Sequence, residues 1–430
     1  MTGFEPTRRT FLRAATAGGA SVVLSAAAGA PAQAASSSGL RVYVLVVDGC
    51  RPDEVVPARM PTLAGLRARG TWYSGARSMP VMETIPNHVM MMTGVRPDRS
   101  GVPANSVYAR AERVVRDLDR ASDLHFPPLL TRLRSRGLRT GSVLSKEYLF
   151  GVFGTRATYR WEPAPTLPIT GHAPDVFTMN ALLAMVDGPD PDFVFANLGD
   201  VDRVGHSDVT GTTVAAARSA ALASTDLQVA RFVERLKSTG RWERSVMVVL
   251  ADHSMDWSLP NRLITLMPRL DADPKLTGRV QIAQNGGADL LYWTGTAAQR
   301  ATAVERMRQI VQATEGVLSV QPASALRLGA RAGDLVAFCK PGWRFSDPGM
   351  TSNPIPGNHG HPATLPIPFL VTGGHPAVRR GATSTAAAHT IDVAPTVGGL
   401  FGLGAPSGGY DGVARREGFK VPLADVARTS

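Results

Sequence analysis

RVYVLVVDG, residues 41–49, is a run of apolar residues without polar alternation, closed by an acid and a glycine. That is the pattern of a short strand covered on both faces. Four more stretches repeat it: RTGSVLS (139–145), DFVFANLGD (192–200), RSVMVVLADH (244–253) and PIPFLVTGG (366–374). Between them lie helix-periodic stretches at residues 62–69, 126–136, 213–238 and 297–314. Strands alternating with helices predict a layered α/β fold. The strands recur from end to end and no repeat or low-complexity linker divides them, so residues 35–430 are expected to form one large domain with loop insertions.

The first residues predict export. Thr7-Arg8-Arg9-Thr10-Phe11-Leu12 is a twin-arginine pattern, followed by an Ala/Val/Leu stretch and the small-x-small site Ala32-Gln33-Ala34. Residues 1–34 therefore read as a signal for the Tat export machinery, and the mature chain as secreted, periplasmic or cell-surface. The apolar stretch is too short and too rich in Ala and Gly for an anchor, and no later segment is long and apolar enough to span a membrane. The chain carries a formal charge of +11. Its Arg and Lys are scattered without aromatic interleaving, so no stable nucleic-acid binding is expected. The two cysteines, Cys50 and Cys339, are too few for a thiolate metal site, and are expected as separate buried thiols unless the fold brings them together.

The strand ends carry the chemistry. Asp48 follows VYVLVV, Asp202 and His206 follow FVFANLGDV, and Asp252-His253 follow VMVVLA. In an open α/β sheet such ends share one edge, where ligands bind. GNHGHP (357–362) adds His359 in a glycine-flanked loop, and METIPNHVMMMTG (82–94) sets Thr84 before a short helical run. Thr84 reads in two ways: as the N-cap of that run, with Pro86 in its first turn and Gly94 at its end, or as a reactive hydroxyl at a helix N-terminus suited to anions. Asp and neutral His are ligands for zinc, manganese or iron, and two adjacent ions need about six or seven such groups. Asp48, Asp202, His206, Asp252, His253, His359 and the Thr84 hydroxyl fill that number. A metal-bound hydroxyl is acidified into a nucleophile near neutral pH.

Taken together, VYVLVVDGCRPD, TIPNHVMMMTGVRPDRSGVPANSVY, DVDRVGH, ADHSM, GNHGH and HTIDVAPTVGGLFGL resemble the alkaline phosphatase superfamily, in its nucleotide pyrophosphatase/phosphodiesterase (type I phosphodiesterase) branch. The resemblance implies an α/β/α sandwich around a central, mostly parallel sheet. It implies an enzyme that hydrolyses phosphate esters of small phosphorylated substrates with two divalent ions, zinc first, manganese or iron otherwise. It implies one metal at Asp48, Thr84, Asp252 and His253, and a second at Asp202, His206 and His359. Thr84 would be the nucleophile that forms a phosphothreonine, and Asn105 would bind a nonbridging phosphate oxygen.

Departures bear on the substrate. Ser100-Gly101 stands where the family often has His-Gly, and Ser254 where it has Gly; neither position is a ligand. Lys146, in SVLSKEYLF, lies where phosphomonoesterases and phosphonoacetate hydrolases of the superfamily carry a Lys-x-Lys or Lys-x-Arg pair, with Tyr148 in place of the second base. It is a candidate substrate-binding residue, read equally well as a surface lysine after a strand. A phosphodiesterase is therefore the first expectation, and a phosphomonoesterase or phosphonate hydrolase the alternative. A sulfatase would need a modified Cys or Ser in place of Thr84, and a non-catalytic binding protein would be expected to have lost ligands that are all present here.

Overall fold

Strands with no polar face belong in the middle of a sheet, and that is where these sequences are found. The computed structural model describes residues 39–168, 170–206, 213–347 and 356–429; the twin-arginine segment and its cleavage site lie outside them. The main sheet has eight strands: β1 (Arg41–Val47), β2 (Thr71–Tyr73), β3 (Thr140–Leu144), β4 (Tyr159–Trp161), β5 (Phe193–Leu198), β6 (Ser245–Leu250), β7 (Phe369–Thr372) and β8 (Ala382–Ser384). Their order is β8-β2-β7-β6-β1-β5-β3-β4. The run β6-β1-β5-β3-β4 is parallel throughout, with β1 pairing Val42 to Phe193 on one side and to Val246 on the other. β7 runs antiparallel to β6 and β2, a direction that its sequence does not disclose.

Every residue of β1, β3, β5 and β6 is buried, so both faces of the sheet are covered. The helix Thr213–Ser238 occupies the periodic stretch read for it, and the other expected helices appear at Pro61–Ala68, Leu129–Arg134 and Arg300–Gln312. A second, antiparallel sheet of four strands (Val280–Asn285, Ala288–Trp293, Val317–Pro322 and Leu335–Cys339) has its own apolar cluster around Leu291, Trp293, Met307 and Phe345. Its first strand reaches the site: Asn285 bonds both backbone polar groups of Ser106 and so ties down the segment that carries Asn105.

Cys50 and Cys339 are separate buried thiols. Among the described residues no helix is long and apolar enough to cross a membrane.

Candidate active site

Three neighbouring parallel strands, β6, β1 and β5, end at one edge of the sheet, and the predicted acids leave from there. Asp48 follows β1, Asp252 and His253 follow β6, and helix α2 (Asp200–His206), entered from β5, carries Asp202 and His206 one turn apart. Gly49 makes the close approach between the end of β1 and α2: its φ is +69°, and a Cβ there would lie 3.0 Å from the Asp202 Cα. Only glycine meets both demands. His359 arrives from the far side of the chain. Gly357 and Asn358 pair with Trp257 and Asp256 beyond β6, and Gly357 packs so closely on the Gly205 backbone of α2 that a side chain would collide with it.

Thr84 is the first residue of α1 (Thr84–Thr93), which ends at Gly94 with φ +68°. Its hydroxyl does not cap the helix; Glu83 holds the cap position, and the amide of Ile85 donates instead to Asn105 Oδ1 at 2.8 Å. This frees the Thr84 Oγ1 to donate to His253 Nε2, 3.2 Å away. Asn105, with its Oδ1 committed to the helix, keeps the Nδ2 group as its donor, and it lines the same cavity as Thr84.

The three histidines share one orientation. Nδ1 of His253 faces the Ser254 carbonyl at 3.0 Å, Nδ1 of His206 the Gly357 carbonyl at 2.8 Å, and Nδ1 of His359 the Met82 carbonyl at 3.1 Å. A carbonyl only accepts, so each Nδ1 carries the proton and each Nε2 presents a lone pair to the acids. His206 Nε2 lies 3.3 Å from Asp202 Oδ1, and His253 Nε2 lies 3.3 Å from Asp252 Oδ2 and 3.8 Å from Asp48 Oδ1. Burial pushes His253 down to about 4, and burial with the neighbouring His253 and His206 pushes His359 well below the usual histidine value. Both imidazoles are neutral, the form that binds metals.

The carboxylates are buried and crowded. Burial, and then Asp252, pushes Asp48 up; burial also pushes Asp252 up. Asp202 is held well below the usual carboxylate range, because Lys146 and His206 outweigh the effect of burial. Among the described residues, Asp48 Oδ1, Asp202 Oδ1 and Asp252 Oδ2 are buried without a hydrogen-bond partner, and these are the oxygens that face the histidines. Such atoms are costly unless something positive meets them. Asp202, His206 and His359 offer donor atoms within 4.8 Å of one another, and so do Asp48, Asp202 and His253. The donor set fits divalent cations.

The sequence model described as Type I phosphodiesterase / nucleotide pyrophosphatase matches residues 42–362. The chain belongs to this family, a branch of the alkaline phosphatase superfamily. Its curated relatives include bis(5'-adenosyl)-triphosphatase ENPP4 of Homo sapiens, 24% identical over 245 residues, which are 55% of this chain and 52% of the relative. The enzyme of the same name from Bos taurus is 21% identical over 250 residues, 56% and 53% of the two chains. The chain spans about half the length of the curated relatives it matches. Among solved structures, murine ectonucleotide pyrophosphatase / phosphodiesterase 5 superposes with a TM-score of 0.70 at 17% identity, covering 85% of this chain and 96% of the other. An inactive variant of that mouse protein, in complex with AMP, gives 0.71 at 17% identity, covering 88% and 98%. The alkaline phosphatase-like fold implied by the motifs is thus found.

In this type I phosphodiesterase / nucleotide pyrophosphatase family member, all nine residues singled out from sequence gather at one place. Lys146 is not a surface residue: it is fully buried, 2.8 Å from both Asp48 and Asp202. Several supporting residues escaped the sequence reading. His88 and Asp252 join Asp48 in a third donor cluster, but His88 Nδ1 donates to the Thr84 carbonyl at 2.8 Å and its Nε2 accepts from Asn197 at 3.0 Å, so both nitrogens are engaged. Asn197, a polar residue inside the apolar β5, also donates to Asp48 Oδ2 at 2.8 Å. Glu83 accepts the Asn105 amide at 2.7 Å and is pushed up to about 8 by burial. His361 is fully buried and pairs with Asp256 at 2.9 Å. The helical spacing of His88 from Thr84 and the lone amide in β5 were the available signals.

The cavity over these groups has a volume of about 430 Å³ and is lined by Thr84, Asn105, Tyr148, Arg203, His206 and His359, among others.

Proposed function

We propose that this protein is an exported phosphodiesterase/nucleotide pyrophosphatase that cleaves small phosphorylated substrates through Thr84. The observation that carries the proposal is the Thr84 hydroxyl, freed from capping, 3.2 Å from His253 Nε2 and beside three unpartnered buried carboxylate oxygens. Asp48, Thr84, Asp252 and His253 would hold one divalent ion, and Asp202, His206 and His359 a second; zinc suits the nitrogen and oxygen donors, with manganese or iron as alternatives. When bound, the ions would acidify the Thr84 hydroxyl and neutralise charge on the attacking and leaving oxygens.

The chain's own residues do the rest. The backbone of Thr84 is held by His88, and its Oγ1 attacks phosphorus in line with the leaving oxygen. The hydroxyl proton passes to solvent, the bond from phosphorus to that oxygen breaks, the leaving oxygen takes a proton from water, and a phosphothreonine forms. Water hydrolyses it in a second displacement that returns the Thr84 hydroxyl and releases phosphate or its monoester. Asn105 Nδ2 donates to a nonbridging oxygen as charge develops there. The mouse relative in complex with AMP supports a nucleotide-sized substrate. A phosphomonoesterase or phosphonate hydrolase is the second reading, favoured by the ammonium of Lys146 placed 3.5 Å from Thr84 Oγ1.

The test is a hydrolysis screen of diesters, pyrophosphates, monoesters and phosphonates on the purified mature protein, with bound metal quantified in parallel. Faster turnover of diesters or pyrophosphates, with about two ions per chain, is the expected result. Full activity in a protein without metal, or no hydrolysis of any phosphate ester, overturns it.

A further inference from the structure

Lys146 follows β3 and sends its side chain into the interior, where it is fully buried. Its Nζ lies 2.8 Å from Asp48 Oδ2, 2.8 Å from Asp202 Oδ2 and 3.5 Å from Thr84 Oγ1. The ammonium donates hydrogen bonds to Asp202 and Thr84 and forms an ion pair with Asp48. Burial works against the charge, but the carboxylates of Asp202 and Asp48 outweigh it and hold the ammonium well above the usual lysine value.

The two carboxylates are divided between different partners. Lys146 takes the Oδ2 of each, and the Oδ1 of each, without a partner, faces the histidines. One cation therefore fixes the rotamer of an acid from each proposed half-site and leaves the opposite oxygens converging. Lys146 is also absent from the lining of the substrate cavity, where Tyr148 and Arg203 stand instead. The hydroxyl of Tyr148 accepts from the Arg203 guanidinium at 3.2 Å, and the ring centre lies 5.6 Å from that cation and 5.8 Å from Lys146 Nζ.

We propose that Lys146 is a positioning residue: a buried cation that fastens Asp48 to Asp202 by the oxygens turned away from the histidines, and that acts through these acids and the Thr84 hydroxyl rather than by reading the charge of the substrate. This rests on the two-ion reading above. It reverses the expectation drawn from the Lys-x-Lys resemblance, in which the lysine reads the charge of a dianionic phosphoryl group. A positioning lysine acts equally on every substrate, because it acts through the ligands; a substrate-reading lysine discriminates by charge.

The experiment compares wild type with Lys146→Met, of similar length and no charge, and with Lys146→Gln, which keeps a donor if the first variant folds poorly. Each protein is loaded with excess Mn(II). Bound manganese is counted, the exchange-coupled signal of the ion pair is recorded by electron paramagnetic resonance, and hydrolysis of bis(4-nitrophenyl) phosphate and 4-nitrophenyl phosphate is measured. The expected result is an altered pair signal, with kcat lowered by about 10- to 100-fold for both esters alike and KM little changed, the range of losses when a ligand's supporting partner is removed. A loss confined to the dianionic monoester, or an unaltered pair signal, overturns the proposal. Wild type that binds fewer than two ions overturns the two-ion reading itself, whatever the variants do.

Discussion

His253 Nε2 and Thr84 Oγ1 stand 3.2 Å apart, and the imidazole is fixed in its tautomer by the Ser254 carbonyl behind it. The hydroxyl has no capping duty, since Asn105 takes that over. Thr84→Ala should therefore fold and bind metal, and lose activity by at least about 10³, on the scale of a missing covalent nucleophile. Parallel measurement of kcat and bound metal checks this. A variant with near-normal kcat would remove Thr84 from the chemistry.

Asp256 and His361 brace the segment that delivers His359. Asp256 Oδ2 accepts from His361 Nε2 at 2.9 Å and from the Gly342 amide at 2.8 Å, and Asp256 pairs with Asn358 across the short ladder. Asp256→Ala should loosen His359 and spare Asp48, Asp252 and His253. The expected outcome is one tightly held ion, with the affinity for the second lowered by about 10- to 100-fold. Calorimetric titration of the stripped protein with zinc reads both sites, and two unchanged binding steps would contradict it.

Glu83 offers a pH signature. Burial raises it from 4.5 to about 8, against the amide of Asn105, so the folded protein holds this proton more tightly than the unfolded chain does. The sign follows by linkage: the contribution to stability is complete below the unfolded value and is lost as pH rises through the folded one. Glu83→Gln keeps an acceptor for Asn105 and cannot ionise. Melting temperatures in chelator, which keeps metal loading out of the comparison, should show wild type losing several degrees relative to the variant between about pH 5 and pH 8. A constant difference would mean that Glu83 does not titrate there.

The five central strands of the main sheet were legible because they form apolar runs covered on both faces, and the acids because strand ends of a parallel sheet share an edge; the three-residue outer strands β2, β4 and β8 are too short to carry such a run. The antiparallel direction of β7 was not legible, since a strand buried on both faces reads alike in either direction. Strands of the second sheet include Gln281, Gln284 and Asn285, which blur the apolar run. The partners of the site depend on strand neighbours that only the fold reveals. Asn197 in β5 sits level with Val46 of β1 on one side and Leu144 of β3 on the other, and this register carries both Asn197 and Lys146 to Asp48. In the sequence, Lys146 was balanced between surface and site; burial decides it.

Export is tested on the full-length precursor. Replacing Arg8 and Arg9 together by Lys should retain unprocessed precursor in the cytoplasm while wild type is processed and exported. Fractionation with blotting reads the two forms. Undisturbed export of the double variant would exclude the twin-arginine route.

Asn105 separates binding of the reacting phosphoryl group from support of the helix. Its Oδ1 caps Ile85, its backbone amide bonds Glu83, and its Nδ2 is the donor that remains for a nonbridging oxygen. Asn105→Ala removes both the cap, worth about 1 kcal/mol of stability, and the donor, whose loss from an oxyanion-type site lowers kcat by about 10²- to 10³-fold. Asn105→Asp keeps an acceptor for the Ile85 amide but replaces the donor with negative charge. If the donor matters, Asn105→Asp should melt near wild type and still lose at least as much diester kcat as Asn105→Ala, because a carboxylate beside the phosphoryl oxygen repels it. If Asn105→Asp retains wild-type diester kcat while Asn105→Ala does not, Asn105 serves only as the cap of α1.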